Sequence, residues 1–405
     1  MKKNSCQNGL GIYVHIPFCI RKCLYCDFLS FSNCGEDTFR AYTDAVCKEI
    51  QFYGEHYCEV ADAETKAQVD TIFIGGGTPT MIPADFIANI MSAIKEHFHV
   101  SEDAEISIES NPKTLTEEKL MIYKAAGINR LSMGVQSLDD SVLKKLGRVH
   151  GSSDAHEAFE LARRCGFDNI NLDLMFAVPG QDMDIWKKTL DETIDMSPEH
   201  ISFYSLQLEE GTEFFKMFEK GDLPMLSDEA DRQMYHYAVD RLKSAGYEHY
   251  EISNCAKAGK ECRHNIKYWS LDNYLGVGLG SHSYMNGCRF SNETDLKKYI
   301  KVLTDEEENL SKENASHSTW VEWAQENTLE DDISDYVITA MRRMCGINFE
   351  AFETRFGKKF FEVYPEQEVL VEEWSKRGFL EVTDEYMRFT ILGVDVSNTI
   401  LAEFV

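Results

Sequence analysis

Six short runs rich in β-branched and aromatic residues mark the first half of the chain, each followed by a longer stretch with helical spacing. They lie at roughly 11–16 (GIYVHI), 69–75 (VDTIFIG), 104–109 (AEISIE), 130–136 (RLSMGVQ), 169–176 (NINLDLMF) and 200–207 (HISFYSLQ). The intervening helices have readable ends. Pro83 suits the first turn of a helix at about 83–98, and Thr116 caps one that stops near Gly127. Ser152 or Ser153 begins one that stops near Gly166, and Asp182 begins one that stops before Pro198. Strand–helix alternation of this kind predicts parallel β/α units. Six of them over residues 1–230 predict an open, partial (β/α)6 barrel, hence an α/β fold, and not a closed ring of eight units.

Beyond 230 the repeat fades. Residues 231–246 read as an amphipathic helix ending at a glycine, followed by CRHNIKYW (262–269) and the glycine-rich GVGLGSHSY (276–284). We take 231–303 as an extension of the barrel and the polar, acidic stretch 304–319 as a linker or exposed loop. Residues 320–405 then carry helical patterns at 329–344 and 365–377 and a β-hairpin at 379–391 that turns at Asp384-Glu385, the outline of a small winged-helix-like α+β domain. Such a domain commonly reads DNA. Here its 8 Lys/Arg face 18 Asp/Glu, which argues for a packing or lid role.

The whole chain repeats that charge imbalance, with 41 basic against 69 acidic residues and a net charge of −28 over 405 residues. Nucleic acid and anionic membrane surfaces are therefore repelled at long range. No apolar run reaches the ~18 residues of a membrane span, and the N-terminal MKKNSCQNGLG lacks the apolar core of a secretory signal. A globular cytoplasmic protein is expected. In that compartment 12 cysteines point to metal or redox chemistry before disulfides.

The ends of the predicted strands carry that chemistry. Cys19, Cys23 and Cys26 (C-x3-C-x2-C) follow the first strand and GGGTP (75–79) the second, while Glu109 ends the third, Gln136 the fourth, and Asp173 sits late in the fifth. In a parallel β/α barrel these ends meet at one mouth, where active sites are built. Each residue alone is explained by turns, caps or burial; their recurrence at the same place in successive units is not. Three thiolates on one loop can hold three irons of a [4Fe–4S] cube and leave the fourth iron open, whereas zinc would need a fourth ligand.

The triplet after strand one, with GGGTP after strand two, resembles the radical S-adenosylmethionine (SAM) superfamily. That resemblance implies that the methionine end of SAM chelates the open iron and that an electron from the cluster cleaves the sulfonium to a 5′-deoxyadenosyl radical. YVHIPFC, IGGGTPT, SIESNP, GVQS, LGRVHG and NLDLMFAVPGQ are more closely similar to the subfamily of oxygen-independent coproporphyrinogen III dehydrogenase and the haem chaperone HemW, over about residues 10–290. Carried over by position, the resemblance implies SAM contacts from Tyr13, Tyr25, Gly76, Gly77, Thr78, Glu109, Gln136, Arg148 and Asp173. Taken singly, Tyr13 also reads as a core aromatic, Arg148 as a surface charge and Gln136 as a strand-end cap.

Two features separate the siblings. The dehydrogenase has a fourth cysteine, C-x3-C-x2-C-x-C, where this chain has Phe28, and a long N-terminal extension, where 18 residues precede Cys19 here. His264, Asn265, Tyr268 and Trp269 also form H-N-x-x-Y-W, the pattern associated with HemW. The resemblance implies a haem chaperone that carries a [4Fe–4S] cluster and SAM, with apo-haemoproteins as acceptors, an electron donor for the cluster, and room for a homodimer. The alternative is the radical decarboxylation of coproporphyrinogen III. His264 is the expected axial haem ligand, with the Cys262 thiolate second. Cys6, Cys34, Cys47, Cys58, Cys165, Cys255, Cys288 and Cys345 read as structural or incidental, and His15 stays open.

Overall fold

The computed structural model describes residues 9–57, 67–305 and 318–405; Cys6, Cys58 and residues 306–317 of the expected linker lie outside them. The first half alternates as expected: β1 (Leu10–Ile16), α1 (Glu36–Tyr57), β2 (Gln68–Gly76), α2 (Ala84–His97), β3 (His99–Ser110), α3 (Glu117–Ala125), β4 (Arg130–Gln136), α4 (Asp140–Lys145), α5 (Ser152–Arg164), β5 (Ile170–Phe176), α6 (Met183–Met196) and β6 (His200–Ser205). The punctuation acts through identifiable hydrogen bonds. The Thr116 side chain accepts from Lys119 N at the start of α3, and Asp182 accepts from Ile185 N at the start of α6. Pro83 stands one position outside α2, as its N-cap. Strand β3 begins five residues before the apolar run, because the polar segment from His99 pairs with Gln68 and Val69 of β2.

Strands β1 to β6 pair in parallel and in sequence order. Their alternate residues divide sharply. Ile12, Val14, Ile72, Ile74, Ile108, Leu131, Met133, Leu172, Leu174, Ile201 and Phe203 are buried in the apolar layer beneath the helices. The opposite face turns inward and is polar: Tyr13, Thr71, Glu105, Ser107, Glu109, Arg130, Ser132, Asn171, Asp173, His200, Ser202 and Tyr204 occupy the alternating positions. This partial barrel holds a polar interior, and a polar interior needs partners.

The second half extends the sheet at both edges, which the hydrophobic pattern did not disclose. After α7 (Glu213–Glu219) and α8 (Asp228–Ser244) come β7 (Glu248–Glu251), β8 (Asn254–Ala256), α9 (Arg263–Trp269), β9 (Tyr274–Val277), β10 (His282–Met285), β11 (Cys288–Asn292), α10 (Leu296–Thr304) and β12 (Val321–Glu326). Strand β9 joins β1 in parallel and leads to β10, β11 and β12, while β8 runs antiparallel beside β6 and β7 antiparallel beside β8. Strands of three to six residues rich in glycine and polar groups are too short to print an alternation.

A smaller unit follows: α11 (Leu329–Ala340), β13 (Ile347–Asn348), α12 (Phe349–Phe356), α13 (Phe360–Val363), α14 (Gln367–Lys376), β14 (Leu380–Val382), β15 (Tyr386–Phe389), α15 (Ile391–Asp395) and α16 (Ser397–Leu401). Its three-stranded sheet, in the order β13–β15–β14, gives the winged-helix-like α+β outline, with the hairpin where the sequence put it. The unit grips the barrel through Ile252 N to Arg342 O (3.1 Å), Met344 N to Tyr250 O (2.9 Å) and Arg355 Nη1 to Ser270 O (2.8 Å). Among the described residues no helix is long and apolar enough to cross a membrane.

Candidate functional site

The loop after β1 is stapled before it presents its thiols. Phe31 N donates to Pro17 O (2.7 Å) and Cys19 N to Phe31 O (2.9 Å), while Phe18 is buried against Phe39 and Tyr42. Cys26 N donates to Cys23 O (3.3 Å) and Leu24 N to Leu146 O (3.2 Å). Cys19, Cys23 and Cys26 are thereby held half-buried, as free thiols, in the wall of a cavity of about 500 Å³. Burial raises the Cys19 thiol and pushes Cys26 up to about 11, so both keep their protons until a metal displaces them.

The end of β2 closes on this loop as only glycine permits. Gly77 N donates to Ile16 O (2.9 Å), and a Cβ on Gly77 would lie 2.8 Å from Phe18 O and 3.1 Å from the Cys19 sulfur. Gly76 adopts φ 112°, open to glycine alone, and its N–H donates to Glu109 Oε2 (3.0 Å). Thr78 Oγ1 lies 3.6 Å from Cys19 Sγ.

Across the cavity stand the polar ends of β3 to β6. Burial pushes Glu109 up to about 8, with the nearby Asp173 charge adding to the effect. Asp173 is likewise raised by burial, although Asn171 Nδ2 donates to it at 2.7 Å. Gln136 ends β4 with φ 66° and accepts from Tyr204 OH (2.9 Å). The Arg148 guanidinium reaches from the loop after α4 to Gly134 O, to Cys23 Sγ (3.4 Å) and to Tyr25 OH (3.5 Å), while its buried Nε has no partner. Tyr25, Gly76, Gly77, Thr78, Glu109, Gln136, Arg148, Asp173 and the three cysteines therefore share one cavity wall. Tyr204, Ser202 and Asn254 line it too. The sequence offered a signal for the first two, which alternate inward on the sixth strand; Asn254 comes from a three-residue strand beyond the repeat.

Two expected contacts lie elsewhere. Tyr13 is absent from the cavity wall, and its hydroxyl lies 2.9 Å from His15 Nδ1, whose ring then reaches Leu29 O at 3.1 Å through Nε2. His264 stands farther from the cavity wall. It is 1% exposed, with Nδ1 2.9 Å from Thr71 Oγ1 and Nε2 2.9 Å from Tyr268 OH, and its ring stacks on Phe73. Both nitrogens are used and the ring is sealed in, so this arrangement offers no axial ligand to a porphyrin. The Cys262 alternative fails similarly, because that thiol is buried, donates to Glu105 Oε1 (3.5 Å) and is pushed up to about 12 by burial. Helix α9, which carries the H-N-x-x-Y-W residues, closes the opposite end of the barrel.

The donor set, three thiols carried on one loop, fits an iron–sulfur cluster. Three thiols spaced along one loop, with a guanidinium against one and a glycine cradle behind another, suit a group several ångströms across.

Comparisons with known proteins agree with this construction. The radical SAM superfamily profile matches residues 13–193, and that of the HemN C-terminal domain matches residues 327–396. The haem chaperone HemW of Bacillus subtilis (strain 168) is 33% identical over 396 residues, covering 97% of this chain and 98% of that protein. HemW of Lactococcus lactis subsp. lactis (strain IL1403) is 31% identical, with 98% of each chain covered. The solved structure of Escherichia coli coproporphyrinogen III oxidase (HemN), a radical SAM enzyme, superposes with a TM-score of 0.79 at 23% identity, covering 99% of this chain and 91% of that one, a likeness of fold. The chain belongs to the HemW family of the radical SAM superfamily.

Proposed function

We propose that this chain is a cytoplasmic haem chaperone that holds a [4Fe–4S] cluster on Cys19, Cys23 and Cys26, binds SAM in the same cavity, and passes haem to apo-haemoproteins. The observation that carries the cofactor reading is a cavity in whose wall three free thiols and two half-buried carboxylates, Glu109 and Asp173, come together. When bound, the cluster supplies a low-potential electron, delivered by an external donor, and SAM supplies the adenosyl group. The residues of the chain would do the rest. Gly76 and Gly77 let the backbone approach the methionine amine, and Glu109 accepts from the ribose hydroxyls. Arg148, Thr78, Gln136 and Tyr25 fix the remaining edges, and Asp173 balances the positive charge.

Two features favour the chaperone over the dehydrogenase. The HemW proteins of Bacillus subtilis and Lactococcus lactis align over nearly their whole length, and Phe28, not a fourth cysteine, follows the triplet. The test is to incubate the anaerobically reconstituted protein with SAM and, separately, haem or coproporphyrinogen III, and to analyse the products by mass. Bound haem that is handed to an apo-haemoprotein, with coproporphyrinogen unchanged, is expected. Robust decarboxylation would replace the chaperone with the dehydrogenase.

A further inference from the structure

The cavity that suits the cluster and SAM leaves haem without a place. Its volume of about 500 Å³ is taken up by the cluster and SAM that the proposed function places there, and thiols, carboxylates and amides stand along its inner wall. No histidine lines it.

The rim has the opposite character. Among the described residues ten large apolar side chains are exposed, and two of them, Ile20 (51%) and Phe28 (64%), stand on the cluster loop at the cavity mouth. An exposed phenylalanine and an exposed isoleucine on one short, stapled loop form an apolar surface that no described residue covers. Arg21 and Lys22 stand beside them. Among the described residues Arg21 donates to the carbonyls of Gly147 and Arg148, and Lys22 to Phe28 O (3.1 Å). Neither forms an ion pair among the described residues, in a chain of net charge −28. The carboxylates on the same rim are Asp27 and Glu209. Apolar faces next to unpaired cations complement a flat, apolar ligand that carries carboxylates along one edge.

We propose that the rim formed by Ile20, Arg21, Lys22 and Phe28 is the haem-docking surface, with the two apolar side chains against a macrocycle face and the two cations paired with the propionates. This assignment rests on the haem-chaperone reading and deepens it. Because the rim presents no imidazole, retention depends on the ring and its propionates, and the iron is secondary.

The test compares haem, iron-free protoporphyrin IX and haem dimethyl ester, titrated by absorbance and fluorescence quenching against the reconstituted protein. Protoporphyrin IX should bind within about threefold of haem, and the ester about tenfold more weakly, since a charge-assisted contact is lost. Phe28→Ser combined with Ile20→Ser should weaken all three ligands about tenfold, from lost apolar contact. Arg21→Gln with Lys22→Gln should weaken haem and protoporphyrin IX but leave the ester unchanged. Iron and sulfide content measured on each variant keeps loss of the cluster from passing for loss of haem, and the ester comparison needs no variant at all. Wild-type binding that both variants retain at full strength overturns the rim assignment and spares the chaperone. Wild-type protein that binds no tetrapyrrole overturns both.

Discussion

The two ends of the barrel are lined by similar residues and do opposite things. At the floor, Glu105 accepts from Cys262 Sγ and from the backbone N–H groups of Arg263 and His264 (3.2 Å each), and Lys267 Nζ reaches Asp70 (2.8 Å) and Gly9 O (2.6 Å). His264 is bonded through both nitrogens, and burial drives its pKa down to about 3, with the Lys267 and Arg130 charges helping to keep it neutral. At the mouth, the same density of polar groups leaves three thiols outside any disulfide, an Arg148 nitrogen unpartnered, and two carboxylates raised by burial, Glu109 also by the Asp173 charge. Residue type does not distinguish the ends. Access does: at the floor α9 closes over the polar groups, even though Arg130 Nε and Trp269 Nε1 lack a partner there, whereas at the mouth they line a cavity that a ligand can enter.

The largest expected effect removes the mouth's chemistry outright. Reconstituted protein should hold about four iron and four sulfide per chain, and alanine at Cys19, Cys23 or Cys26 should abolish them, while Cys34→Ala should leave them intact. Iron and sulfide assays decide it, and a triplet variant with a full cluster would refute the ligand set. The next effect belongs to the floor. His264→Ala removes two buried hydrogen bonds and opens a void, so it should lower unfolding stability by about 2–4 kcal/mol, read by denaturant titration. Iron content and the haem spectrum of the folded variant should not move. A changed Soret band without loss of stability would restore His264 as a ligand.

The sequence made the mouth more legible than the floor for a physical reason. Strands β1 to β6 announce themselves by apolar runs, so the residues at their ends can be placed from the alternation alone. Cys19, Glu109, Gln136 and Asp173 accordingly fall in one cavity wall. The floor is built by α9, seven residues long, whose environment comes from Glu105 and Thr71 on distant strands. Nothing in H-N-x-x-Y-W discloses that Tyr268 and Thr71 will occupy both histidine nitrogens. For Tyr13, likewise, the strand was legible and the His15 partner was not.

At the mouth, truncating either carboxylate should weaken SAM without touching the cluster. Glu109→Ala or Asp173→Ala forfeits a buried charge-assisted contact of about 1.5–3 kcal/mol, a loss in affinity of roughly tenfold or more. Equilibrium binding to the cluster-loaded variant measures it, and unchanged affinity in both would remove the carboxylates from the SAM site.

The smallest effect is the sharpest, because it titrates. Glu109 faces the Asp173 carboxylate, the Arg130 guanidinium and the Gly76 N–H, and its folded pKa stands at about 8 against an ordinary 4.5. Between those values the folded protein holds a proton that the unfolded chain has released, so this group's contribution is full below the lower value and is lost as pH rises through the upper one. Glu109→Gln should therefore gain stability relative to the wild type as pH rises through this window. SAM, with its sulfonium and ammonium charges, favours the ionised carboxylate. Wild-type SAM affinity should accordingly climb as pH approaches 8 and then level off, with proton release on binding, while the Gln variant shows a flatter profile. Calorimetry in buffers of different ionisation enthalpy reads that proton directly. Equal release by wild type and variant would assign the proton to Asp173, which burial raises in the same direction.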